Sequence, residues 1–397
     1  MNDSRPYPPA RGFDTGEFET RCAYVQSNMR DRNIDIIWCT TEADIQYLTG
    51  YQTQFWQSPT RPWYLLLPQS GEPVAIIPTI GFACMQRTWI TDIRLWSSPD
   101  PVDDGVTLLI DAIRELAGPT PRIGTSTSRE TYLRCCLDDL QCIRSALAGA
   151  HWVDSTNCIR TVRQIKSEAE ILKLRHITEV TSRAFAKVPD IIHSGMTDTE
   201  AFRRFKITCL EQGADDCRYL VGAASAGGYA DIISPPNDHF INSGDVLILD
   251  TGCVFDGYHS DFDRNFALTR VDEMTCTAHH RVWDATEAGL GAVRAGVQCS
   301  DVFDAMQKVL QGDNARTSDA GAHVGRMGHG LGIELTETPS IAKFDETRLR
   351  AGMVITLEPG CNYSDNRMMV HEENLVVTED GYELLSKRAS RDIPIIG

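Results

Sequence analysis

Three aspartates lie close together in the run VLILDTGCVFDGYHSDFDRNFAL (246–268): Asp250, Asp261 and Asp263. Two apolar-rich strands flank Asp256-Gly257, the dipeptide best suited to a two-residue hairpin turn. With those residues at the centre of the turn, Asp250 falls opposite Asp263 and Gly252 opposite Asp261, so the three carboxylates share one face. Directly opposed like charges destabilise a sheet, so such a face calls for a compensating cation unless water solvates it.

Three further residues carry chemistry. His329 sits in Gly328-His329-Gly330-Leu331-Gly332, where the glycines let backbone or ligand approach the imidazole closely. Glu358 ends an apolar strand before Pro359-Gly360, and Glu372 follows Val370-His371 at the head of another apolar run. An acid on a strand that otherwise wants burial is costly unless it is paired or metal-bound. Taken singly, these residues read as solvated aspartates, a structural histidine and edge carboxylates. Taken together, Asp250, Asp261, His329, Glu358 and Glu372 offer four carboxylates and one imidazole, a donor set for adjacent divalent cations of the Mn, Fe, Co or Zn kind. Two such ions can share and activate one hydroxide. No Gly-x-Ser-x-Gly elbow is present to support a nucleophilic serine.

The elements that must position these side chains follow from periodicity and caps. Ser167 and Glu170 form a capping box that opens a long helix with the apolar stripe Ile171, Leu174, Ile177, Ala184, Val188, ended by Pro189. Thr197 and Glu200 open a second helix that closes at Gly213, and two more helices are predicted over 272–294 and 300–311. The segments 352–360 and 368–381 read as sheet strands. Before about residue 160, short runs at 34–40, 63–68 and 73–79 and a helix over 106–118 describe an α/β unit without clustered catalytic types. The chain of 397 residues is therefore divided into an N-terminal domain, 1–160, and a site-bearing domain, 161–397.

Composition excludes several partners. A formal charge of −17 without a basic patch argues against nucleic acid. No apolar run reaches the roughly 18 residues of a membrane span, and the polar, Pro-rich start lacks a signal-peptide core, so a cytoplasmic protein with no membrane partner is expected. The 13 cysteines are odd in number and contain no CxxC, only the adjacent Cys135-Cys136, and read as reduced thiols acting as small hydrophobes.

The order of motifs resembles the creatinase/prolidase/aminopeptidase P superfamily: Asp250, Asp261 eleven positions later, Gly-His-Gly, Glu-Pro-Gly, then Glu372 before Val-Val-Thr-Glu-Asp-Gly. The resemblance implies an α/β N-terminal creatinase-type domain, a linker at 163–167, and an α+β pita-bread catalytic domain. It further implies two divalent metal ions, manganese ahead of iron, cobalt or zinc, held by Asp250, Asp261, His329, Glu358 and Glu372. Asp261 and Glu372 would bridge the ions, and Glu358 would handle the proton of a metal-bridging hydroxide. A homodimer is implied too, in which the loop between Trp56 and Trp63 either reaches the partner's active site or is simply anchored by its aromatics.

The chain departs from the family pattern where peptides are handled. Thr336 stands seven residues after His329, where the peptidases usually carry histidine, and Ile233 stands seventeen before Asp250, where another is usual. Val370 replaces an arginine common in prolidases, and Asp263 replaces a common threonine. His371 could therefore supply a proton donor or turn outward, and Asp263 could join the metal site or pair with Arg264 or Arg367. The leading expectation is a dinuclear-metal hydrolase of the Xaa-Pro dipeptidase or aminopeptidase type, acting on a dipeptide or other small molecule. One alternative is a metal-dependent lyase or hydrolase of a small osmolyte, similar to dimethylsulfoniopropionate lyases or ectoine hydrolases. Another is a non-catalytic binding protein on the same fold.

Overall fold

The computed structural model describes residues 7–58, 61–311 and 325–397. Internal packing divides the chain between Arg163 and Gln164, so Ala10–Arg163 forms one unit and the rest of the described chain from Gln164 forms the other. The helix Thr156–Gln164 runs through the junction, which places the division slightly beyond residue 160.

In the N-terminal unit a six-stranded mixed sheet runs in the order Asp92–Trp96, Val74–Pro78, Tyr64–Pro68, Ile36–Cys39, Arg122–Thr125, His151–Asp154. Ile36–Cys39, Tyr64–Pro68 and Val74–Pro78 are buried along their whole length, which is why their sequences are continuous apolar runs rather than alternating ones. The helix Val106–Ala117 covers the sheet with Leu109, Ile110 and Ile113. Trp56 and Trp63 pack at 5.8 Å and both contact Tyr51, anchoring the loop between them; its residues 59–60 lie outside the described residues.

Among its described residues the second unit holds two large sheets and one two-stranded sheet, packed with two pairs of helices. In the first sheet the long strand Asp245–Phe255 pairs with Phe262–Leu268 on one side and with Asp216–Val221 and Ala224–Ala226 on the other. In the second, the order is Glu337–Ser340, His329–Gly330, Val354–Leu357, Glu373–Val377, Tyr382–Leu384. The strand period of two sorts the first sheet's faces. Leu247, Leu249, Phe262 and Phe266 join the core built with helices Glu168–Phe185 and Asp198–Gln212. Val246, Ile248 and Ala267 join the core built with helices Glu273–Ala292 and Cys299–Gln311 and with the second sheet. Asp250, Asp261 and Asp263 continue this second face, so they point between the sheets.

Helix Glu168–Phe185 is opened by the reciprocal Ser167/Glu170 capping box, and Thr197 caps Asp198–Gln212, which ends at left-handed Gly213. The first of these helices also fixes the hairpin tip. Buried Lys173 Nζ lies 2.7 Å from Asp256 Oδ2, and the Tyr258 hydroxyl donates to Glu170 Oε1 at 3.0 Å. All 13 cysteines are free thiols. Cys209, Cys217 and Cys253 cluster within 4.8 Å inside an apolar core that would bear the charge of a metal thiolate poorly. Among the described residues no helix is long and apolar enough to cross a membrane.

Candidate metal centre

The hairpin has the register its turn requires. Asp256 and Gly257 both adopt positive φ, 51° and 84°, and Asp263 pairs with Asp250 and Phe262 with Thr251. At Asp261 the ladder breaks and a side chain takes it over: Asp261 N–H donates to Asn374 Oδ1 at 3.0 Å, and Asn374 Nδ2 donates back to the Asp261 carbonyl. An amide from the second sheet thus grips the backbone of an acid on the first.

Glu358 and Glu372 flank the ladder formed by Val354–Leu357 and Glu373–Val377. Leu357 pairs with Glu373, so the two acids lie one register step beyond the last pair, at the same end. The chain switches sheets between Val370 and Glu373, because Arg367–Val370 pairs instead with Gly360–Ser364. Asn265 steadies this switch: its Nδ2 donates to the Val370 carbonyl at 2.7 Å, while Tyr229 donates to Asn265 Oδ1 at 2.7 Å. His329 is set by close backbone packing. A Cβ on Gly328, whose φ is +145°, would lie 2.2 Å from the Thr356 carbonyl oxygen.

These segments bring the donors together. Single donor atoms of Asp261, His329 and Glu372 all lie within 4.8 Å of one another, and all three residues are buried. His329 Nδ1 is 2.9 Å from the Gly330 carbonyl, a contact that requires Nδ1 to carry the proton. The bare Nε2 lone pair then faces Asp261 Oδ2 at 3.4 Å and Glu358 Oε1 at 3.9 Å. Burial holds the imidazole neutral, pushing its pKa down to about 4. Lone pair facing lone pair is repulsive without a cation between them. Asp250 Oδ1, Asp263 Oδ1 and Glu372 Oε1 are likewise buried without a hydrogen-bond partner. Hard carboxylate oxygens with one neutral imidazole suit divalent cations, and the residues fit the group the resemblance implies.

Burial, followed by mutual repulsion, drives Asp250, Asp261 and Glu372 well above the usual carboxylate range. Burial lifts Glu358 to about 7, opposed by Arg326. Asp263 also rises to about 7 through burial, opposed by Arg264. Neither arginine considered from the sequence pairs with the Asp263 side chain. Arg264 bonds Glu373 at 2.9 Å and the backbone carbonyls of Asp263 and Glu372 at 2.6 and 2.8 Å, while Arg367 faces Asp272 at 3.4 Å.

His371 corrects the sequence expectation. Adjacent residues on extended backbone point to opposite sides, and beside Glu372 this imidazole turns away from the acids. Its Nδ1 lies 3.0 Å from Thr286 Oγ1, and its Nε2 is 3.0 Å from Arg388 and 3.5 Å from Glu373. It belongs to a buried network behind the site rather than beside the donors as an acid. Two pocket residues carried no motif signal. Tyr219, whose strand pairs it with Gly252, lies against Asp250 and within the field of Asp261, Glu358 and Glu372. Arg326 lies 3.7 Å from Glu358 Oε1; only its closeness to His329 in the sequence could have marked it.

The shifts predict an unusual pH dependence for the metal-free chain. A carboxyl whose folded pKa is raised binds more protons folded than unfolded, so stability falls as pH climbs from its unfolded to its folded pKa. The buried histidines His259, His279, His329 and His371, all shifted down from 6.5, act oppositely below 6.5 and mask this there. Above 6.5 the histidines fade and the acids outnumber the one lowered thiol, Cys217, that acts oppositely, and each acid still protonated in the fold removes about 1.4 kcal/mol per pH unit. The melting temperature of chelator-treated protein should therefore fall between pH 6.5 and 8; a flat or rising trend there contradicts this charge distribution.

The acid cluster suited to metal, in the unit that follows a separate α/β unit in the sequence, agrees with what comparison with known proteins finds. The chain belongs to metallopeptidase family M24, whose model matches residues 173–379, and residues 21–165 match the creatinase/prolidase N-terminal domain. It is 25% identical over 373 residues to a probable dipeptidase PepE of Mycobacterium tuberculosis, covering 94% of this chain and 95% of that one. The crystal structure of dipeptidase PepE from Mycobacterium ulcerans is 25% identical with a TM-score of 0.82, covering 98% of this chain and 100% of that one. A prolidase from Thermococcus sibiricus shares the fold at 21% identity and a TM-score of 0.85, covering 97% and 100%.

Proposed function

We propose that the chain is a divalent-metal-dependent hydrolase that cleaves the C–N amide bond of Xaa-Pro-type dipeptides, holding two ions, manganese foremost, and working as a cytoplasmic homodimer. The observation that carries this reading is the convergence of the His329 Nε2 lone pair on Asp261 and Glu358, with partnerless oxygens on Asp250 and Glu372. The names of the relatives, dipeptidase and prolidase, point the same way.

Asp250, Asp261, His329, Glu358 and Glu372 would hold the ions. When bound, the ions supply Lewis acidity for the scissile carbonyl and make a water more acidic. Glu358 keeps 26% of its side-chain exposure, so it can meet the attacking water, take its proton and return it to the leaving nitrogen. The Tyr219 phenol, half-buried beside Asp250, can donate a hydrogen bond to the carbonyl oxygen as charge builds there. Asp263, behind this layer, adds a carboxyl that is readily neutralised.

The buried, partnerless Asp263 oxygen favours one second reading, in which this carboxylate abstracts a proton next to a substrate carboxylate and elimination follows. A panel of Xaa-Pro dipeptides assayed with manganese separates the readings. Amide hydrolysis with uptake of one solvent oxygen is expected; an alkene product without that uptake establishes elimination, and silence across the panel in metal-loaded protein rules out the peptidase.

A further inference from the structure

We propose that Cys217 and Cys253 form a site of reversible oxidation, where a small peroxide converts two facing thiols into a cross-strand disulfide that displaces Tyr219 at the pocket. This goes beyond the proposed function and does not rest on it.

The two cysteines stand opposite each other on the strands Asp216–Val221 and Asp245–Phe255. Opposed residues of an antiparallel pair have Cα atoms about 4.5–5.5 Å apart, inside the span that a disulfide bridges. Their sulfurs, with that of Cys209 from helix Asp198–Gln212, lie within 4.8 Å of one another. The apolar core around them does not oppose the product, because a disulfide carries no charge. Among the described residues Asp216–Val221 pairs on one side only, and Asp216 and Arg218 keep nearly half of their side-chain exposure. Fraying of this edge strand uncovers Cys217 to a small oxidant.

The surroundings also select which thiol reacts first. Hydrogen bonds from the Cys209 and Cys253 thiols favour the Cys217 thiolate against the cost of burial and hold its pKa below the ordinary thiol range. Cys209 and Cys253 are shifted the other way. The Cys217 thiolate attacks the peroxide O–O bond and, with one proton taken up, leaves as a sulfenic acid and a water. The Cys253 thiol then attacks the sulfenic sulfur and expels a second water. In sum the two sulfurs lose two electrons, and hydrogen peroxide is reduced to two waters.

A β-bulge ties this pair to the pocket. Cys217 pairs with Cys253 but Tyr219 with Gly252, so Arg218 is the extra residue. The bulge turns Cys217 into the core while Tyr219 faces the metal side against Asp250. Thr251 spans the two: its hydroxyl donates to the Tyr219 carbonyl at 3.1 Å and stands 3.2 Å from Cys217 Sγ and 3.8 Å from Cys253 Sγ. Closing the sulfurs to about 2 Å pulls Cys217 off this hydroxyl and shifts the Tyr219 backbone.

The test treats manganese-loaded protein with hydrogen peroxide, blocks the remaining thiols and maps linked peptides by mass spectrometry, in wild type, Cys217→Ala and Cys253→Ala. Turnover of a cleaved dipeptide is followed alongside, or manganese affinity by calorimetry if no dipeptide is cleaved, so the result does not depend on the peptidase. Loss of one hydrogen bond at the pocket is worth about 10-fold. A link between Cys217 and Cys253 is expected in the wild type, with a fall of that size that dithiothreitol reverses and neither variant shows. The mapping itself requires no variant to fold. Both cysteines left reduced, either one joined to a different cysteine, a link that leaves turnover and affinity unchanged, or a fall shared by the variants overturns the proposal.

Discussion

Glu358→Gln is expected to lower kcat on a cleaved dipeptide by about 10³-fold, within the range for losing a general acid–base group. Glutamine keeps the length and one oxygen of the side chain, so packing against His329 and Arg326 survives while the exchangeable proton disappears. Glu358 is the acid suited to this role because, unlike Asp261 and Glu372, it retains side-chain exposure of 26% and so can meet a water at the edge of the cluster. Metal content of the variant must be measured alongside, since a lost ligand alone also removes activity. A fall of less than tenfold with ions retained would assign the proton to another group.

Metal removal should have a comparably large effect on the protein itself. At pH 7.5 the metal-free cluster pits desolvation against ionisation in Asp250, Asp261 and Glu372, whose pKa values all lie far above the ordinary range. Cations convert that liability into stabilising contacts, and at free manganese 100 times its dissociation constant the gain is about 2.7 kcal/mol for one site. Chelation should abolish turnover and lower the melting temperature by several degrees, on the order of 1 kcal/mol per 2–4 °C for chains this large. Asp261→Asn should erase most of the manganese response, because Asp261 touches His329 and shares its donor cluster with Glu372. An equal manganese response in wild type and variant would place the binding elsewhere.

Much of the site was legible because short-range geometry governs it. The two-residue turn at Asp256-Gly257 dictates which residues face each other, and Asp250 does pair with Asp263. Ordered motifs carried the family and both domains. What could not be read depended on distant parts of the chain. Asn374 grips the Asp261 backbone across 113 residues, a contact that no local pattern announces. Tyr219 reaches the pocket because its strand adds to the outer edge of the hairpin, a pairing set by tertiary packing. His371 was open to better reading, since alternation along extended backbone turns it away whenever Glu372 faces inward. Arg326 carried no periodic signature, and its stand-off from Glu358 exists only in three dimensions.

Acids from two sheets and one neutral imidazole stand together where they can grip divalent cations. Elemental analysis of chelator-stripped protein re-loaded with manganese and desalted measures this directly, with Asp261→Asn and His329→Ala treated alongside. About two ions per chain are expected in the wild type and a clear deficit in both variants. Wild-type protein that retains no manganese, or variants that retain as much as the wild type, would contradict it.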